Sequence, residues 1–413
     1  MSANRPAAGL PRRCCHREDV CVPWGYANRV AARTALIVGA GIGGLAAGVA
    51  LRRAGWHVQI FERADSPREL GFGVLLAANA LSALRELGVA EAVTSRSAPT
   101  ARVEIRRTNG RVLRRLNVQV GGPSVVALRP DLHGALLTAV GSESLRLGRQ
   151  AVSFTKSPDG VVLTLSDGSA ESGQVLIGAD GVHSCVRRQL HPREAPPRAS
   201  GFAAVRGVAY GVTSQLGELS GVGYFDDGLE AATVRAGNDA VYWYMSLLTQ
   251  DVGPAPTAEH VVQTQLADFE PSLRAILLAT TPEDMRFDEL FERDPLLTWG
   301  AGHVTLLGDA AHPVLPHTGQ GAAQALEDAV ALGLALAGSH PVDHALRRYE
   351  AVRSHRTRAF MKLGPRVARV TTTRNVVIAA MRNLAVRFLP ESAFARSTVG
   401  LSRDPHAALR STS

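Results

Sequence analysis

Residues 35–38, Ala-Leu-Ile-Val, run directly into Gly39-x-Gly41-x-x-Gly44, and this junction restricts the fold more than any other stretch of the chain. A short apolar run ending in glycine reads as a buried parallel strand. Residues 44–54 then read as a helix closed by Gly55, and residues 57–62 as a second strand, which together make a βαβ unit. Glycines at a strand-to-helix turn let the backbone approach a pyrophosphate, which rests on the free N–H groups of the helix N-terminus. Glu62 follows Gly41 by 21 residues and ends the second strand, where a carboxylate accepts hydrogen bonds from ribose hydroxyls. An acid there disfavours a 2′-phosphate, so the reading is FAD or NAD rather than NADP. The bland alternative, a glycine-tight turn beside an ordinary surface glutamate, carries less weight in this context.

Further along, residues 79–96 read as helix. Residues 102–116 read as a hairpin turning at Asn109-Gly110, and 130–140 as helix. Residues 161–165 and 174–178 read as strands. The texture changes at about 198–295, with aromatic strands at 203–212 and 240–248 and a helix at 257–279. The buried-strand pattern returns at 304–308. An alanine-rich helix follows at about 321–337, and a helical, basic tail at 343–388.

Composition excludes several classes. Hydrophobic residues at 46% and charged residues at 20% are ordinary for a globular chain, and 413 residues suffice for two or three cores. The net charge of +8 is arginine spread along the chain, without a lysine block or an aromatic–basic ladder, so no nucleic-acid partner is expected. Three of the four cysteines (Cys14, Cys15, Cys21) lie in the first 21 residues and Cys185 in the globular part. That argues against a disulfide framework and for a cytoplasmic location, and the spacing matches no zinc pattern, so no metal is expected. No apolar run is long enough for a membrane span, and the first residues are too polar for an export signal. Residues 1–33 carry no periodic pattern and read as a disordered extension, with a start near Val30 as one alternative.

Two more constellations sit at strand ends, where open α/β sheets bind ligands. One is Gly178-Ala179-Asp180-Gly181-Val182-His183-Ser184-x-x-Arg187. The other is Gly308-Asp309-Ala310-Ala311-His312-Pro313, continued by Pro316-x-x-Gly319-Gln320-Gly321 and Glu327-Asp328. Asp309 offers acceptors to a polyol, and Gly319 to Ala323 open a helix whose N–H groups face a partial negative charge. His312 and His317 are weighed as acid–base groups against structural roles, and Arg206 as an anion partner against an ordinary core-edge arginine. Tyr224, Tyr242, Trp243 and Tyr244 are weighed as pocket residues, with the constraint that only one strand face can line it.

In the order and spacing of these three motifs, over about residues 34–360, the chain resembles the single-component FAD-dependent aromatic hydroxylases typified by para-hydroxybenzoate hydroxylase. The resemblance implies an α/β fold with a doubly wound FAD-binding domain interleaved with a mixed β-sheet substrate domain, under a helical C-terminal cap. The expected boundaries are 34–100, 125–198 and 296–340 for the FAD domain, 101–124 and 199–295 for the substrate domain, and 341–413 for the helical segment. It implies that Gly39, Gly41 and Gly44 hold the pyrophosphate of non-covalent FAD and Glu62 its adenosine ribose, while Arg129 contacts FAD. Val152 meets the adenine, Asp180 lies in the motif linked to FAD and nicotinamide, Asp309 binds the ribityl chain, and Gly319, Gly321, Ala322 and Ala323 face the flavin. Arg206, Tyr224, Pro316 and His317 are the pocket candidates. Two segments depart from the family: Ala77-Ala78 stand before Asn79, and His317-Thr318 before Gly319.

The implied activity is a monooxygenase in which NAD(P)H docks transiently and O₂ supplies the oxygen. A small aromatic or similar electron-rich molecule is hydroxylated through a flavin C4a-hydroperoxide, by a monomer or homodimer. Epoxidation or Baeyer–Villiger insertion, prenyl reduction, and a non-catalytic flavin-binding module remain the alternatives. The Trp-x-Trp-x-Ile-Pro signature of flavin halogenases is absent from the sequence.

Overall fold

The structure, a computed structural model, describes residues 33–66, 72–118, 122–254, 256–388 and 409. The amino-terminal extension with Cys14, Cys15 and Cys21, and the tail beyond 388 apart from Leu409, lie outside the described residues.

The opening apolar run forms the strand Thr34–Val38, the centre of a five-stranded parallel sheet. Its neighbours are Val175–Gly178 on one side and His57–Phe61 on the other, with Val304–Leu306 and Leu145–Arg146 at the edges. Strands buried on both faces have no polar side to show, which is why these segments read as unbroken apolar runs. The helix Ile42–Arg53 packs beside Gly321–Ala337 on this sheet, and a Cβ added to Gly43 would stand 3.3 Å from the Ala325 Cβ. A small antiparallel sheet of Ala151–Ser157, Gly160–Leu165 and Ala170–Gly173 completes this half.

The second large sheet has seven strands. In spatial order they are Met285–Glu292, Arg198–Tyr210, Ala240–Leu248, Leu229–Ala236, Gly221–Asp226, Arg102–Arg106 and Val112–Asn117. All pairings are antiparallel except Gly221–Asp226 with Arg102–Arg106, so the sheet is mixed. The chain enters it twice, at 102–117 and at 198–292, and returns each time to the parallel sheet. Gly73–Leu76, Val125–Leu128 and Ala98–Pro99 form a short three-stranded sheet.

Two expected helices are broken. The helix expected over 79–96 is Ala78–Leu87 and Ala90–Thr94, separated at Gly88, whose φ of 77° is left-handed and closes the first piece. The helix expected over 257–279 is Ala258–Gln265 and Pro271–Leu278, because Pro271 has no N–H to continue the first helix and instead begins a second.

The helical C-terminal region holds Val342–Thr371 and Val376–Phe388. The longer helix packs on Gly321–Ala337, where fully buried Arg353 donates to Asp328 Oδ1 at 2.7 Å and to Glu327 Oε2 at 2.5 Å. An arginine enters a core only with its charge matched and its N–H groups satisfied, as here. No helix among the described residues is long and apolar enough to cross a membrane.

Candidate active site

The site is assembled at the carboxyl ends of the parallel strands. Gly39 has φ 103°, and a Cβ there would stand 2.5 Å from the Ala179 carbonyl oxygen. A Cβ on Gly44 would overlap the Gly39 carbonyl oxygen at 1.9 Å. These two glycines therefore answer to protein backbone packing. Gly41 differs: a Cβ there meets nothing within 4 Å, so it borders open space at the start of Ile42–Arg53. No side chain caps that helix N-terminus, which leaves its first N–H groups to an external acceptor. Glu62 reaches back to the same loop, with Oε2 accepting from Ala40 N–H at 2.9 Å and Oε1 from Ala64 N–H at 3.0 Å. Beneath it, His133 Nε2 lies 2.8 Å from the Ala40 carbonyl oxygen.

A second uncapped N-terminus stands close by. Gln320 precedes Gly321–Ala337 without a side-chain cap, and a Cβ on Gly321 also meets nothing within 4 Å. Gly319, with φ 62°, makes the turn into this helix, and Ala322 is half-buried where Ala323 is buried. Between the two helix ends lies Asp309, at the end of Val304–Leu306. Asp309 is solvent-accessible, yet burial pushes its carboxyl pKa up, against the pull of His312, Arg129 and Arg206.

Asp180 is already engaged. Its carboxylate accepts from Ser184 Oγ at 2.5 Å and from Cys185 N–H at 2.7 Å, at the start of Cys185–Leu190. From that helix fully buried Arg187 donates to the carbonyls of Ala310 and Ala311, each at 3.0 Å, and pairs with Glu194. Arg187 therefore ties the second motif to the third, a role that spacing alone did not suggest. His312 is buried against Asp328, with Nε2 at 2.5 Å from Oδ2, and the same oxygen accepts from Gly308 N–H at 3.0 Å. That arrangement fixes the turn carrying Asp309. Val152 is half-exposed, on the strand Ala151–Ser157.

The seven-stranded sheet supplies the opposite wall. Its strands alternate, so Tyr242, Tyr244, Ser246 and Arg206 share one face, while Trp243, Met245 and Val205 pack against the helices Ala258–Gln265 and Pro271–Leu278. The first face meets the Gly73 and 316–319 segments: Ser246 Oγ lies 2.8 Å from His317 Nε2, and a Cβ on Gly73 would strike the Tyr242 ring. Pro316 and His317 form the short turn before Gly319. Burial and then the Arg206 charge depress the His317 pKa to about 4. Behind it Glu230 is buried, accepting from Tyr244 Oη at 2.7 Å and from Thr371 Oγ1, and burial raises its pKa. Arg206 lies 3.8 Å from Asp288 on the same face.

One pocket candidate is on the wrong side. Tyr224 is 1% exposed on the helix-covered face and donates to Glu270 Oε1 at 2.7 Å. The sequence reading places strands here only at 203–212 and 240–248, so the direction of Tyr224 follows from the pairing of Gly221–Asp226 with Leu229–Ala236. Glu230 and Ser246 were missed because neither belongs to a motif. Register alone sets them opposite each other. Among the described residues no group of three or more His, Cys, Asp or Glu could hold a metal ion.

Residues 32–363 match the FAD binding domain family. The chain belongs to that family. It is an FAD-dependent, aromatic hydroxylase-like monooxygenase, and its relatives share most of its length. It is 33% identical to the aurachin C monooxygenase/isomerase of Stigmatella aurantiaca over 86% of this chain and 94% of that one. It is 31% identical to the 6-hydroxynicotinate 3-monooxygenase of Bordetella bronchiseptica, over 78% and 87%. Klebsiella pneumoniae HpxO, solved with FAD and uric acid, shares the fold with a TM-score of 0.83 at 24% identity, over 90% of this chain and 96% of that one.

The monooxygenase's own geometry fits FAD. Two uncapped helix ends beside open glycines suit a pyrophosphate and an electron-accepting ring, and the accessible, burial-shifted Asp309 between them suits a polyol.

Proposed function

We propose that the monooxygenase hydroxylates a planar hydroxy- or nitrogen-heteroaromatic ring held between the Gly319–Ala323 turn and the Tyr242–Ser246 face of the mixed sheet. The observation that carries this reading is the face itself. Tyr242, Tyr244, Ser246 and Arg206 lie on one face, where Ser246 meets His317 and Tyr242 meets Gly73, while every second residue of the same strands is apolar and packed under helices. Aromatic rings supply flat apolar contact and Arg206 a fixed cation, which suits a ring carrying an acidic hydroxyl or carboxylate. The relatives that act on hydroxynicotinate and aminohydroxybenzoate support this class.

Bound FAD supplies electron transfer from NAD(P)H and oxygen transfer from O₂. The chain's part is to bind, orient and exclude water. Gly41 brings backbone close to the pyrophosphate on the turn that Gly39 and Gly44 pack tightly, Glu62 and Val152 serve the adenosine end, and Asp309 accepts from the ribityl hydroxyls. Gly321, Ala322 and Ala323 direct N–H groups at the electron-accepting edge of the ring, where developing negative charge is stabilised. Arg129, which acts on Asp309, contacts FAD nearby. Asp180 holds the turn at Gly181 rather than offering a free carboxylate. His317 is neutral at pH 7 and positions Ser246 without adding charge.

We assign residues 34–100, 125–198 and 296–340 to the FAD unit and 101–124 with 199–295 to the substrate unit. The monomer or homodimer works in the cytoplasm, where NAD(P)H is available. NADH and NADPH oxidation is followed in oxygenated buffer with hydroxybenzoates, hydroxypyridines and hydroxyquinolines. Substrate-stimulated oxidation and a product heavier by one oxygen are expected. A product heavier by two hydrogens makes the protein a reductase, and no stimulation by any ring leaves a flavin-binding module.

A further inference from the structure

The last described helix, Val376–Phe388, is built inside out. Val377, Met381, Leu384 and Phe388 recur at the spacing of one helix face and are 67%, 65%, 59% and 67% exposed. The opposite face, against the body, buries Val386 and a charged residue, Arg382. Arg382 donates to the Thr371 carbonyl at 2.7 Å and covers the Phe225 ring at 5.3 Å. A surface helix of a globular protein normally turns its apolar stripe inward and its charges out. Here four large apolar side chains face away from the protein, and Leu363 and Val370 of the preceding helix are exposed as well. A contiguous apolar patch of this kind marks an interaction surface.

Charge selects the occupant. Between residues 351 and 388 there are nine Lys and Arg and no Asp or Glu. Lys362, Arg366, Arg369 and Arg387 are exposed on the two helices that carry the apolar side chains. A second copy docking face to face would set these cations against their own images, which costs binding energy. An anionic bilayer surface matches both properties, taking the apolar stripe into its headgroup boundary and the cations at its phosphates.

We propose that Val376–Phe388, with the end of Val342–Thr371, is an interfacial anchor that docks the monooxygenase on an anionic lipid surface. The anchor adjoins the substrate side of the molecule. Thr371, the last residue of the long helix, donates to Glu230, which takes the Tyr244 hydroxyl through its other oxygen. Arg114 of the mixed sheet's edge strand donates to the Val386 carbonyl at 3.1 Å. Docking therefore brings the wall of the ring pocket to the bilayer, which suits a ring carrying a lipophilic chain.

The test is sedimentation of full-length, FAD-loaded protein with phosphatidylcholine vesicles, with and without phosphatidylglycerol, at low and high salt. Wild type is expected to pellet with the anionic vesicles and to be released by salt. Lys362→Glu with Arg366→Glu and Arg369→Glu is expected to weaken binding by at least roughly fivefold per cation removed. Met381→Glu with Leu384→Glu is expected to abolish it. Both variants should keep wild-type FAD occupancy and NADH oxidation with a water-soluble ring, which shows them folded. Wild type remaining in the supernatant with anionic vesicles overturns the proposal, as does pelleting unchanged by either set of substitutions. A dimer that Met381→Glu with Leu384→Glu converts to monomer, without vesicle binding, assigns the face to a second copy instead.

Discussion

The two faces of the seven-stranded sheet are made from the same strands and do opposite work. Along Ala240–Leu248, Trp243, Met245 and Leu247 enter an apolar core beneath two helices, while Tyr242, Tyr244 and Ser246 lie on the face that meets the Gly73 and 316–319 segments. On the first face two aromatic polar atoms are closed off: Trp243 Nε1 donates to Thr280 Oγ1 at 2.8 Å, and Tyr224 to Glu270. On the second, Arg206, Glu230 and His317 stay close together with shifted pKa values at the last two. One face therefore stores folding energy and the other is held for chemistry. The separation follows from the two-residue period of a strand, since neighbours in sequence cannot share a face.

Neighbouring substitutions test that division. Trp243→Ala empties the largest fully buried side chain and is expected to lower unfolding stability by about 3–5 kcal/mol. Tyr242→Ala, one residue away, is expected to cost far less stability and mainly to raise KM for the ring substrate. Denaturant unfolding and steady-state kinetics on both proteins check this, and equal losses of stability would break the comparison.

The next effect is a pH dependence of the chemical face. His317 is depressed from the ordinary 6.5 to about 4, so the unfolded chain binds a proton that the folded one refuses. Its contribution is fully present above pH 6.5 and is lost as pH falls from 6.5 to about 4, on the order of 3 kcal/mol in all. His317→Gln keeps a donor toward Ser246 and removes the titration. Unfolding stabilities of the pair should be similar above pH 6.5 and diverge as pH falls toward about 4, wild type losing stability that the variant keeps, and parallel pH dependences would show that His317 is not buried neutral.

Smaller again is Tyr224→Phe, expected to cost about 1–3 kcal/mol through the lost bond to Glu270, with kcat and KM unchanged. A rise in KM would return Tyr224 to the pocket. On the cofactor side, Asp309→Ala is expected to lower FAD affinity by a similar amount, read as flavin released on dilution without loss of fold. Unchanged occupancy would remove the ribityl assignment.

The sequence by itself determined the parallel sheet, the glycine turn and the order of the three motifs. Those features are local: a buried strand must be apolar throughout, and Gly39 and Gly44 stand where any side chain strikes backbone. The helix Gly321–Ala337 was legible for the same reason, since its period and its opening glycine lie in consecutive residues. What only the tertiary structure decided depends on pairing across distance. Tyr224 is core and Tyr242 faces the site because of strand register; Leu229–Ala236 and Met285–Glu292 carry no run by which they could be read. Glu230 meets Tyr244 and Thr371 across 14 and 141 residues of chain. The inverted helix Val376–Phe388 looked like an ordinary basic tail, because a periodic apolar stripe shows that a helix has a face but not which way the face is turned. That direction is set by where Arg382 finds its carbonyl partners, and only the folded chain supplies them.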